Sequence, residues 1–441
     1  MKQKYSLYLL SILLLASSFP LVAASRLAFE RTWGGPNIDR AQGIAIAPDG
    51  SLYVGGLTGS FGTGAADGDW DVFLLKYDAA GTLLWQRTWG RDQLSGSRQA
   101  LDDDYALDIA LGPDGSIHLG GVYSGGGGPL VLKLDGDGNV IWAITWQHPT
   151  AFGHAQSITV AGDGSVYIAG GINDAGAGHS DMLIMKFASD GSLLWQQTYG
   201  GPINEIARDV AVAPDGGVYV AGEGNSFFAN DAVLLRYAPD GTLVWQRDWH
   251  EGTIQDLTDG EAVAVGPDGS VYLAGFAGIT GVGQHIFLVK FTSDGSVVWE
   301  STSGGAAESG LAVAIAPNGN IYVTGSTLVV DTGDALVTEF LPDGKIRNSV
   351  TWGGPGDDYG DAIAIGSDGA VYVAGVAQSP PYAFGKGAKK TRKPDSVLVA
   401  QEGTVTNPGG TTAVATGTLL IPNGSETYAG DDDAVLLKIL F

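Results

Sequence analysis

The sequence predicts an all-β protein, a seven-bladed β-propeller with four antiparallel strands per blade, on three observations. A tight turn between two apolar runs recurs seven times, at Ile44–Gly56, Ile109–Gly121, Ile158–Gly170, Val210–Gly222, Val263–Gly275, Val313–Gly325 and Ile363–Gly375. Its turn residues, Asp49, Asp114, Asp163, Asp215, Asp268, Asn318 and Asp368, stand 49 to 65 residues apart, a spacing that suits propeller blades better than shorter or helical solenoid repeats. A second phrase alternates with the first: Leu83–Gly90 (LLWQRTWG) has relatives at Leu193–Gly200, Leu243–Trp249, Val140–Trp146 and Val297–Ser303. Finally, the two ends are complementary. Leu27–Gly34 matches the fourth-strand phrase, with Phe29 where Trp85 stands, and Asp433–Lys438 matches the third strand Asp71–Lys76. Pairing them closes the ring and removes an exposed edge.

Residues 1–24 read as a secretory signal peptide. Lys2 and Lys4 precede an apolar run from Leu7 to Leu15, and Val22-Ala23-Ala24 supplies the small residues before cleavage. The run is too short to span a bilayer as a helix. The expected product is secreted, periplasmic or held at the bacterial cell surface, with no membrane span. Residues 25–441 then form one propeller.

Repeat four shows how each blade is built. Val210-Ala211-Val212 is a short strand ended by Pro214-Asp215-Gly216, where Pro fixes the first turn position and Gly accepts the left-handed one. Val218–Ala221 returns as a β-branched and aromatic strand. Ala232–Tyr237 is the third strand, Asp240-Gly241 a hairpin signal, and Thr242–Trp249 the fourth. The fourth-strand tryptophans repeat with the blades, which points to packing between blades with the indole N–H groups at the wet outer edge.

The chain has no cysteine, so its stability must come from a core rather than from disulfides. Its formal charge is −25, and removing Lys2 and Lys4 makes it more negative still. Such a surface repels polyanions, which argues against nucleic-acid partners. The expected state is a monomer, with an extracellular glycan or protein as partner.

The phrases Trp352–Tyr359 (WGGPGDDY), Ser367–Gly375 (SDGAVYVAG) and Asp433–Lys438 (DAVLLK) resemble the bacterial SBBP-type β-propeller repeat, and the likeness covers residues 27–441 apart from one insertion. It implies a secreted seven-bladed propeller and says little of chemistry. The Gly-x-Leu-Leu-Trp phrase is also similar to quinoprotein propellers. Their Ala-x-Asp-x-x-Thr-Gly pattern is missing, which argues against a quinone cofactor, and no cofactor other than Ca²⁺ is suggested.

Turns between first and second and between third and fourth strands are uniform. The remaining loops vary in length, so a ligand site is expected on their face, near the central channel. Acids recur five positions before the first apolar runs, at Asp39, Asp104, Glu205, Glu308 and Asp358. One reading is a carboxylate ring at the channel mouth that binds a cation such as Ca²⁺ or a hydroxyl-rich ligand. The other is that each carboxylate caps backbone N–H groups of its own blade link. Asp67, Asp69 and Asp71 alternate as in calcium loops, although Asp71 belongs to a repeated column with Asp181, Asp231, Asp334 and Asp433. Of the six histidines, none has metal-ligand spacing.

Val376–Gly430 is an insertion in the last blade, read as an arm over the variable face. Ser396–Val405 and Thr411–Ile421 alternate like a hairpin about Asn407–Gly410. Its basic run, Lys386, Lys389, Lys390, Arg392 and Lys393, stands out on so acidic a chain and is a second candidate for ligand contact.

Three function classes follow. The first is an exported binding or surface-interaction module, since no nucleophile, base and orienting group assemble in the sequence. The second is a secreted polysaccharide lyase or hydrolase, with His154, Asp104 and Asp358 as candidate catalytic groups. The third is a structural component of the cell surface.

Overall fold

The computed structural model describes residues 25–441, apart from 63–68, 91–102, 124–126, 147–150, 174–179, 202–203, 226–229, 251–256, 280–282, 304–306, 328–332, 355, 379–382, 385–404, 407–411 and 414–431. Seven sheets stand around a central channel, each a meander of antiparallel strands. The innermost strands are Asp39–Ile46, Asp104–Leu111, Phe152–Val160, Glu205–Val212, Leu257–Val265, Glu308–Ile315 and Tyr359–Ile365, for blades 1 to 7. Each begins about five residues earlier than its apolar run, so the recurring acids lie at or beside the strand start rather than in the preceding link.

Closure follows the sequence reading. Arg26–Trp33 pairs antiparallel with Asp433–Leu440, from Arg26 against Leu440 to Trp33 against Ala434. The chain's first strand is thus the outermost strand of blade 7, in the order first strand, last strand, Val371–Ala377, Tyr359–Ile365. Blade 6 gains a fifth strand, since Ala383–Phe384 of the insertion pairs with Trp352 and Gly353. The hairpin about Asn407–Gly410 is present as Val405–Thr406 against Thr412–Ala413.

The second and third strands of each blade are buried almost throughout, while fourth strands such as Leu193–Tyr199 are largely exposed. The core is therefore a set of clusters between neighbouring sheets. One joins Tyr219, Leu234 and Trp249 of blade 4 to Val263, Leu273 and Phe287 of blade 5.

The fourth-strand tryptophans pack between blades as the periodicity implies, but four of their N–H groups bond to protein rather than ending in water. Trp142 donates to Ser189 O at 3.2 Å, Trp195 to Pro239 O at 3.0 Å, Trp245 to Ser293 O at 3.3 Å and Trp299 to Pro342 O at 3.2 Å. Each acceptor is a carbonyl in the outer turn of the next blade. The turn approaches closely because its last residue is Gly. Gly241 has φ 87°, and a Cβ there would stand 2.9 Å from the Trp195 ring.

Asp181, Asp334 and Asp433 of the third-strand column explain the Gly of the Trp-Gly phrase. A Cβ on Gly200, Gly353 or Gly34 would come within 2.1 to 2.2 Å of their carboxylate oxygens. The two columns pack as a pair.

Candidate functional site

Every innermost strand carries a bulge. The register slips between Ala41/Gly43, Ala106/Asp108, Ala155/Ser157, Ala207/Asp209, Gly260/Ala262, Gly310/Ala312 and Gly360/Ala362. A bulge leaves one residue unpaired and re-aims its side chain. The residues so released are Gln42, Leu107, Gln156, Arg208, Glu261, Leu311 and Asp361, one per blade, and all line a channel cavity of about 250 Å³. Each is preceded by Ala or Gly and followed, except before Asp108 and Asp209, by Gly, Ala or Ser, where the neighbouring backbone comes close. A Cβ on Gly43 would stand 2.8 Å from Ile109 N of the next blade, and one on Gly260 2.8 Å from Gly222 O of blade 4.

The cavity is polar and rich in carboxylates. Arg208 donates through Nη2 to Glu223 at 2.8 Å and lies 3.8 Å from Glu261. Burial works against the Arg208 charge, yet Glu261, Glu223 and Asp259 together hold its pKa above the ordinary value. Gln42 donates to Asp361 Oδ2 at 3.3 Å. Burial pushes the Asp361 carboxyl up to about 7 against the opposing charge of Arg40. Burial likewise pushes Glu261 up to about 7, where attraction to Arg208 is offset by Asp259, Glu223 and Asp209.

Beside this ring, blades 2 to 5 are stapled by side chains one residue further on. Asp108 accepts Ile109 N–H at 2.7 Å and, across the blade boundary, Ile158 N–H at 3.0 Å. Asp209 accepts Val210 N–H and Val263 N–H of blade 5, each at 2.8 Å. Ser157 Oγ stands between the two carboxylates, 2.8 Å from Asp108 and 2.7 Å from Asp209. Burial and then the Asp209 charge push Asp108 up to about 7, and burial raises Asp209 as well.

None of Asp39, Asp104, Glu205, Glu308 and Asp358 lines this cavity. Asp39 accepts Gly35 N–H at 2.8 Å and the Thr58 hydroxyl, and burial, opposed by these bonds, raises its pKa. Glu205 accepts Gly201 N–H at 3.1 Å. Asp358 accepts Gly354 N–H, and Gln378 N–H at 2.8 Å. These three cap their own blade links. Asp104 is buried opposite Tyr123, and Glu308 is half-buried opposite Thr327. Glu205 also lines a cleft of about 280 Å³ with Tyr199, Asp231 and Asp248.

Asp71 is buried at the start of a third strand and Asp69 is half-buried, while Asp67 lies outside the described residues. Among the described residues no group of three or more His, Cys, Asp or Glu is placed to hold a metal ion. Lys386, Lys389, Lys390, Arg392 and Lys393 lie outside the described residues, as do His148 and His179. His154 is half-buried on the innermost strand of blade 3, and burial, then the Arg208 charge, lower its pKa.

The channel ring was missed in the sequence, although a signal for it exists. Aligned on their turns, the repeats read AQGI, ALDI, AQSI, ARDV, GEAV, GLAV and GDAI. The second column is the variable one, always preceded by Ala or Gly and followed by Gly, Ala, Ser or Asp.

Comparison with known proteins agrees with the architecture. The PQQ_2 family model, described as outer membrane protein assembly factor BamB, matches residues 73–226 and 127–284. The regulatory protein FlaEY of Caulobacter vibrioides is 26% identical, over 37% of this chain and 20% of its own length. The chain thus spans only about a fifth of that curated relative. The crystal structure of puromycin hydrolase is similar with a TM-score of 0.51 at 13% identity, covering 86% of this chain and 58% of that one, and shows the fold alone. The polysaccharide lyase Uly1 has a TM-score of 0.47 at 12% identity, covering 92% and 91%. The chain is a seven-bladed β-propeller, and its residues 73–284 are similar to the propeller repeats of the BamB model.

Proposed function

We propose that this chain is an exported binding module that holds a hydroxyl-rich ligand, a sugar unit of an extracellular glycan, at the channel and the variable-loop face around it. One observation carries this reading. The column released into the channel by the bulges is Gln, Leu, Gln, Arg, Glu, Leu and Asp, in a repeat whose packing columns are nearly uniform. Packing alone would not call for such diversity. Carboxylates accept from hydroxyls, Arg208 donates, the Gln amides do both, and Leu107 and Leu311 suit the C–H face of a sugar ring. The cavity of about 250 Å³ lies just below the range of about 300–1,000 Å³ typical of drug-sized ligands, which suits one sugar unit. Lys389, Lys390 and Arg392 are the second contact in this reading and favour a glycan carrying acidic sugars.

Screening the purified protein on a glycan array tests this. Binding that weakens at least tenfold in Arg208→Ala and Gln156→Leu supports the channel. Binding unaffected by both variants moves the site elsewhere, and no binding to any glycan favours a structural component. A second reading, polysaccharide cleavage, draws on His154, the imidazole on the innermost strand of blade 3, whose pKa burial and then Arg208 lower. Unsaturated-uronate absorbance in the same screen, lost in His154→Gln, would establish it.

A further inference from the structure

The Ser157 hydroxyl has one proton and two carboxylate neighbours. Its oxygen lies within hydrogen-bond distance of both Asp108 Oδ2 and Asp209 Oδ1, at 2.8 and 2.7 Å. It also accepts Val210 N–H at 3.3 Å. A hydroxyl donates only once. With both carboxylates ionised, one of the two contacts would set lone pairs against each other at hydrogen-bond distance. The arrangement is satisfied when one carboxyl carries a proton and donates to Ser157, while Ser157 donates to the other.

We propose that Asp108, Ser157 and Asp209 share one added proton and act as a pH-dependent clamp joining blades 2, 3 and 4 around the channel. The inference is independent of any ligand. The pair titrates as a unit, so the proton belongs to the clamp rather than to either residue.

The surroundings favour retention of the proton. Arg208 is the cation of blade 4 beside the clamp, and it is already engaged by Glu223 and Glu261. Blade 5 adds Asp259 and Glu261, and blade 4 adds Glu223, all acidic. Burial and then Arg208 lower the pKa of His154 of blade 3, which disfavours a compensating positive charge there. Further round the ring, Asp361 of blade 7 faces Arg40 of blade 1, which is tied to Asp432 at 2.5 Å. Losing the proton leaves two anions at one hydroxyl, and Arg208, the cation beside them, is already engaged by Glu223 and Glu261. Buried carboxyls with raised pKa stabilise the fold below their unfolded value, near 3.8, and that contribution is lost as pH rises through about 7.

The test measures protons released on unfolding, from the slope of unfolding free energy against pH between 6 and 8. Glu261→Gln/Asp361→Asn is the background, because those two carboxyls add slope of the same sign. Adding Asp209→Asn should lower the release by nearly one proton at pH 6 and by about half a proton at pH 7, since the amide can donate to Ser157 at any pH. An unchanged slope overturns the clamp. Should the triple variant fail to fold, infrared difference spectra of the full-length Glu261→Gln/Asp361→Asn background between pH 5.5 and 8.5, with and without Ser157→Ala, decide. A protonated-carboxyl band that disappears at high pH and is absent in Ser157→Ala supports the proposal. A band that persists unchanged in Ser157→Ala refutes it.

Discussion

His118 shows how one departure from a repeat column changes the physics of its blade. The same second-strand position holds Tyr53, Tyr167, Tyr219, Tyr272, Tyr322 and Tyr372 in the other blades. In five of these a Lys or Arg of the third strand lies 4.7 to 5.2 Å over the ring. In three of these blades the turn Asp pairs with that cation: Asp215 with Arg236 at 2.5 Å, Asp368 with Lys438 at 2.9 Å and Asp268 with Lys290 at 3.8 Å. Blade 6 exchanges the charges. Asn318 replaces the turn Asp, and Glu339 accepts from Asn320, Tyr322 and Arg347. In blade 2, Lys133 still pairs with Asp114 at 3.1 Å, but His118 lies in the aromatic place and is buried without a hydrogen bond among the described residues. Burial, then the Lys133 charge, push its pKa down to about 4. Both folded and unfolded states are neutral at His118 above its ordinary value near 6.5. As pH falls from there to about 4 only the unfolded chain protonates, which costs the fold up to about 3 kcal/mol. We expect His118→Tyr to remove that loss and to gain a cation–π contact with Lys133. Urea melts at pH 5 and 7.5 check this. A variant whose stability still falls as steeply between those pH values would contradict it.

At the scale of the strand and its turn, the blade interface is a Trp ring facing a Gly turn. Phe29 obeys the same rule as the tryptophans, with a Cβ on Gly81 standing 2.9 Å from its ring. The alignment of Phe29 with Trp85 was legible because the phrase around it is shared. Gly241→Ala meets two penalties, a positive φ of 87° and an approach of 2.9 Å to Trp195. We expect a loss of at least about 1 kcal/mol, read as a lower denaturation midpoint with an unchanged slope. A midpoint equal to wild type would show that the turn can shift freely. The bulges were not legible at this scale. Period-two alternation marks the paired part of a strand, and each innermost strand begins about five residues before that alternation becomes visible. The acids Asp39 and Asp358 were noticed because they repeat. Their use as caps of Gly35 and Gly354 N–H depends on where the link folds back.

For the whole molecule, closure by Arg26–Trp33 couples the two ends of the chain. Trp33 joins the cluster of Phe73, Tyr372 and Leu436, which lies between blades 7 and 1. The Trp33 indole donates to Gln86 Oε1 at 2.8 Å, and Glu30 accepts from the Trp352 indole at 3.0 Å. Removing residues 25–34 should therefore expose the last strand as an edge and open the core between those blades. We expect a lower melting temperature and a broader transition by calorimetry. A truncated protein that melts like wild type would mean that closure contributes little.

The sequence by itself determined the blade count, the four-stranded blade, the turns and the closing strand. All of these rest on local signals repeated along the chain, and repetition averages away the ambiguity of any single turn or strand. Only the tertiary structure decided which side chains share the channel. Gln42 and Asp361 are 319 residues apart in the chain yet hydrogen-bonded, and Asp108, Ser157 and Asp209 meet only because three bulges point to one axis. Ring closure sets those distances, and no local signal in the chain encodes them.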